Sequence, residues 1–133
     1  MKSTILSLGL ASIAFVTQDE PIDQELQTLL VEHRDTLKTI RQFVDKDINT
    51  GVVQIGDMIN ANNAYFNAEL ELPKSPQERI VVLEEALEKQ TDVESIANAK
   101  MEVGTGYKAE LLIAKAARLK VEINLHKALK KSK

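Results

Sequence analysis

Two stretches decide how this chain folds. They are Ile48-Asn49-Thr50-Gly51-Val52-Val53-Gln54-Ile55-Gly56-Asp57-Met58-Ile59-Asn60-Ala61 and Met101-Glu102-Val103-Gly104-Thr105-Gly106-Tyr107-Lys108-Ala109-Glu110-Leu111-Leu112-Ile113-Ala114. Laid on each other at an offset of 53, so that Gly51 meets Gly104, they match without a gap. Asp57 meets Glu110, Met58 meets Leu111, Ile59 meets Leu112 and Ala61 meets Ala114. The register holds on both sides. Ala64 falls on Ala117, Phe66 on Leu119, Glu69 on Glu122 and Leu72 on Leu125, while upstream Gln24-Glu25 falls on Gln77-Glu78, Leu30 on Leu83 and Glu32 on Glu85. A fixed period of this kind marks a duplicated structural unit.

Punctuation says what the unit is. After residue 22, glycine and proline occur in three places only: Gly51 with Gly56, Pro73 with Pro76, and Gly104 with Gly106. The stretches between them, about 24–49, 54–72, 77–103 and 107–131, suit helices and are far longer than ordinary strands. On the last, Leu112, Ala116, Leu119 and Ile123 recur at steps of four and three, and Leu111, Ala114, Val121, Leu125 and Ala128 form a second apolar stripe beside them. A helix with two adjacent stripes is expected to pack against more than one neighbour. On the third, a seam begins at Ile80, Leu83 and Leu87 and runs through Val93, Ile96 and Met101. Pro76-Gln77-Glu78 reads as a helix start, and Lys127, Lys130, Lys131 and Lys133 sit where a helix dipole favours cations. The expected fold is all-α: two tandem antiparallel helical hairpins, about 24–72 and 77–125, forming an elongated four-helix bundle or coiled-coil array within a helical domain of residues 18–133. Short connections put both glycine turns at one end and the Pro73-Lys74-Ser75-Pro76 linker at the other.

Residues 1–17 read differently. Met1-Lys2 is followed by an apolar run from Ile5 to Val16, which holds the small-x-small cleavage pattern Ser12-Ile13-Ala14, and then by the acidic stretch Gln18-Asp19-Glu20-Pro21. The run is too short to span a bilayer, so the expectation is a secretory signal and an exported, periplasmic or cell-envelope protein.

Composition narrows the chemistry. With no Cys, thiolate metal sites and cysteine nucleophiles are excluded. A net charge of −3 and only 4% aromatic residues argue against nucleic acid as a partner. His33 and His126 do not superpose under the repeat, and neither stands in the i,i+4 arrangement of a zinc helix. No phosphate loop, dinucleotide motif or catalytic Ser-His-Asp spacing occurs. The expectation is therefore no enzyme, no cofactor, no metal, and a protein partner or homo-oligomer.

The two quoted turns resemble the repeat of TolC-type outer-membrane efflux ducts: an apolar residue, two others, Gly, five residues, an acid, two apolar residues, one more, then Ala. They are similar as well to tandem repeats in exported bacterial proteins with no assigned activity. In the ducts the motif sits at the periplasmic tips of coiled hairpins, where adaptor proteins dock. The resemblance covers about 24–131 and implies a hairpin module acting through protein contacts in an envelope or export complex. It departs from the family at Gln54 and Tyr107, where a Ser or Thr cap is usual, and in lacking the ~10-residue alternating strands of a membrane barrel. The turn residues Gly51, Val52, Val53, Ile55, Asp57, Gly104, Gly106, Tyr107 and Glu110 are the candidate partner-contact set. Val52, Val53, Ile55 and Tyr107 are expected to be exposed there and are the better hint of a partner, since apolar side chains at a loop tip gain nothing by staying in water; burial under a neighbouring subunit is the competing account. The glycines also have a plain reading as left-handed residues ending a helix, and Asp57 and Glu110 as first-turn acids. The alternatives are a self-associating structural bundle with no efflux role, or a small-ligand or metal-binding stress protein.

Overall fold

The computed structural model describes residues 23–48, 51 and 53–133. The expected signal segment lies outside them. Four helices follow one another: α1 (Gln24–Asp47), α2 (Ile55–Glu71), α3 (Pro76–Glu102) and α4 (Lys108–Lys131). Among the described residues there is no strand, and no helix is long and apolar enough to cross a membrane. The fold is all-α, as the spacing predicts.

Each helix boundary has a local cause. Asp23 caps α1 by accepting from the Leu26 amide at 2.7 Å. α2 stops at Leu72, whose extended backbone is what a residue before proline prefers. Ser75 and Glu78 then form a reciprocal capping box for α3: the Glu78 amide donates to Ser75 Oγ, and the Ser75 amide to Glu78 Oε1 at 2.7 Å. Pro76 takes the first helical position, where its missing N–H costs nothing. The backbone and hydroxyl of Ser75 hold the Glu78 carboxyl below its ordinary pKa.

Cross-helix contacts fix the topology. Arg34 pairs with Glu69, and Arg41 lies on Tyr65, so α1 and α2 run antiparallel. Asn62 with Gln90 and the Leu70 carbonyl with Arg79 set α2 against α3 in the same sense. Glu94 with Arg118 does so for α3 and α4. The backbone of α2 comes close to all three other helices, whereas that of α1 comes close to α2 alone. The arrangement is thus a three-helix core, α2–α3–α4, with α1 laid along one side: an open array rather than a closed ring of four.

Two apolar clusters fill it. Near the glycine turns, Ile55, Met58 and Ile59 meet Val93, Ala97 and Ala114, with Val44, Ile48 and Leu111 at the margin. Farther along, Tyr65 and Phe66 meet Val82 and Ala86, with Leu37 and Val121 against them. Because Ile48 and Val53 of the first turn share a cluster with Leu111 and Ala114 just after the second, both turns lie at one end.

Candidate functional site

The candidate site is the pair of turns, and its geometry repeats. Gly51 and Gly104 adopt φ of +77° and +81°, among the described residues the only positive values. A Cβ at either would meet nothing within 4 Å, so the left-handed backbone, and not lack of room, selects glycine. The Gly51 amide donates to the Ile48 carbonyl and the Gly104 amide to the Met101 carbonyl. α2 and α4 begin at Ile55 and Lys108. Neither Gln54 nor Tyr107 caps its helix through a side chain. Instead Asp57 accepts from the Gln54 amide at 3.2 Å, and Glu110 from the Tyr107 amide at 3.4 Å. Every one of these pairs is 53 residues apart. Gly106 has a separate reason: a Cβ there would stand 2.9 Å from Lys100 Cβ and from the Met101 amide nitrogen.

The candidate residues therefore divide. Gly51 and Gly104 are exposed and turn the chain, Gly106 is half-buried against the end of α3, and Asp57 and Glu110 are occupied by their own turns. Tyr107 is exposed at 72%, as expected, beside Val103 at 73%. Val103 was not singled out by the spacing, although it precedes the glycine directly. Val52 lies outside the described residues. Ile55 corrects the expectation: at 1% exposure it is among the most buried residues, because the first position of α2 points back into the cluster with Met58 and Ala114. Val53 is half-buried against the same cluster. The tips thus offer less apolar surface than the sequence implies.

Away from the tips, repeat-equivalent positions carry different chemistry. Arg41 is 9% exposed, its guanidinium 4.9 Å from the Tyr65 ring centroid and 5.3 Å from that of Phe66. Its Nε and Nη1 are buried without a hydrogen-bond partner, so aromatic faces stand where a carboxylate would be expected. Burial, with Glu69 and Glu85 nearby, raises the Tyr65 pKa despite Arg41 and Arg34. One repeat on, the same two positions are Glu94 and Arg118, an ion pair at 2.6 Å. Between α2 and α3, the nearly inaccessible Gln90 accepts from Asn62 and donates to Asn63. Neither Arg41 nor Gln90 breaks the apolar spacing in a way that flags burial in advance.

Most of the exposed large apolar side chains among the described residues lie on α1 and α4. On α1, Leu26, Leu29, Ile40 and Phe43 point outward, Phe43 at 61%. On α4, Leu112, Leu119 and Ile123 form the stripe that the sequence predicts to need a neighbour; they are 40–53% exposed, and the second stripe faces inward. The grooves on the surface are open and lined by side chains of mixed character. Among the described residues no group of three His, Asp or Glu side chains is placed to hold a metal.

Comparison with known proteins adds nothing to this geometry: no family model, curated protein or solved structure matches the chain.

Proposed function

We propose that the chain is a non-enzymatic helical-hairpin repeat that works through protein contacts, in the exported, envelope setting that the signal-like leader and the resemblance to efflux-duct hairpins imply. The observation that carries the reading is the pair of apolar rows on the outer faces of α1 and α4. Exposed large apolar side chains in ordered rows mark contact surfaces in proteins of this size. The tips are the secondary surface, reduced to Tyr107, Val103 and the turn backbone.

Photo-crosslinking in the producing cell tests this. A photoreactive residue at Phe43, at Ile123 or at Tyr107 is compared with one at the solvated position Asn124. The outer faces should give discrete protein adducts and Asn124 none. Adducts from Tyr107 alone would move the working surface to the tips. No adduct at any of the three would sink the contact reading.

A further inference from the structure

The two outer rows are not unrelated patches. Under the 53-residue repeat each is the counterpart of a face that is already mated inside the molecule. On α2, Ile59 and Phe66 are 5% and 4% exposed and Leu70 is half-buried, all within the clusters that α2 shares with α3. Their counterparts on α4 are Leu112, Leu119 and Ile123, which face solvent. On α3, Val82, Ala86 and Val93 are at most 8% exposed and cluster with those α2 residues. Their counterparts on α1 are Leu29, His33 and Ile40, again exposed, with Phe43 standing where α3 has the half-buried Ile96. The molecule therefore contains one complete α2–α3 contact and the two separated halves of a second.

Those halves cannot meet within one copy, because α1 and α4 do not touch. We infer that a second copy of this chain closes the contact: α4 of one protomer seats antiparallel on α1 of the next, in the register of α2 on α3. The inference rests on the protein-contact reading and names its partner. The register is set by the internal pairs. Leu70 with Arg79 becomes Ile123 opposite Leu26, and Ile59 in one cluster with Val93 becomes Leu112 near Ile40. Charge agrees. α4 carries seven basic and two acidic residues. α1 carries five acids and four bases, and two of the bases, Arg34 and Arg41, are turned to α2. Opposite charge across a contact favours this pairing over α4 on α4. Different patches meet, so the contact is heterologous and repeats from copy to copy, closing into a ring or continuing as a filament.

Cysteine trapping in the full chain tests the register, since the chain has no cysteine of its own. Leu112→Cys combined with Ile40→Cys should give, on mild oxidation, a ladder of dimers and larger species. Leu112→Cys with Leu26→Cys, displaced along α1 by about 20 Å, should give none. Each single cysteine alone should stay largely monomeric on a non-reducing gel. Efficient dimers from Leu112→Cys alone would overturn the head-to-tail contact in favour of a two-fold one. Light scattering supplies the second arm. The parent chain should exceed the single-chain mass as concentration rises, and Leu119→Asp should weaken association at least about tenfold, as burying a lone charge in an apolar row requires. Circular dichroism of Leu119→Asp should keep its helicity. A parent chain of single-copy mass at all concentrations would also overturn the inference. If photo-adducts to a different protein then persisted at Ile123, the protein-contact reading would stand and self-assembly alone would fall.

Discussion

A few residues show how much a single side chain carries here. Arg41 keeps a charge against two rings with two of its nitrogens unmet, and a buried unsatisfied donor costs about 1–3 kcal/mol. Arg41→Met, which keeps the length and apolar stem, should therefore leave the melting temperature unchanged or raise it. Tyr65→Ala at the ring beneath should cost about 3–5 kcal/mol in chemical denaturation. Glycine shows the opposite economy. Gly51→Ala and Gly104→Ala each force an L-residue into positive φ and should cost about 1–2 kcal/mol. Gly56→Ala has open space and stands where the second repeat has Ala109, so it should stabilise by up to about 1 kcal/mol. Glu78 adds a pH dependence with a definite sign. Its folded-state pKa lies below its unfolded value, so its contribution is present above about pH 4.3 and is lost as pH falls through the lowered folded value. Melting scans from pH 5 downward should show a shallower loss in Glu78→Gln than in the parent.

At the scale of the helix, breakers and stripes were legible and burial was not. The placing of Gly and Pro along the chain sets all four helices to within two residues, and the repeat places the starts of α2 and α4 together. Of the two stripes on α4, both expected to meet neighbours, Leu111, Ala114, Val121 and Leu125 turn inward while Leu112, Ala116, Leu119 and Ile123 stay exposed, a division that spacing does not convey. What spacing could not convey is which face wins when a residue sits at a junction. Ile55 looks like a tip residue in sequence, yet it opens α2 with its side chain turned inward. Gln90 and Arg41 have polar names and core positions, because partners from another helix, Asn62 and Asn63 or Tyr65 and Phe66, settle their burial. Ala114 marks the tightest point, fully inaccessible where α4 meets the first cluster. Ala114→Leu should overpack it and cost about 1–3 kcal/mol, read as a lower denaturant midpoint. The same enlargement at exposed Ala116 should be nearly silent within one copy.

For the molecule as a whole, contacts run mostly between helices adjacent in the chain; the α3–α4 pair is the most extensive, and α2 reaches every other helix. Stability in such arrays is a sum of units and nearest-neighbour interfaces. The consequence is uneven cooperativity. α1 is held chiefly by α2, and losing it leaves α2, α3 and α4 still packed on each other. Native-state hydrogen exchange should therefore find amides of α1 opening well below the global free energy of unfolding, while those of α2 around Met58 and Phe66 open only with it. Limited proteolysis should nick first around the turn between α1 and α2, leaving a helical fragment that begins near Gln54. Unfolding of this chain should then proceed in two events, α1 parting before α2, α3 and α4 come apart.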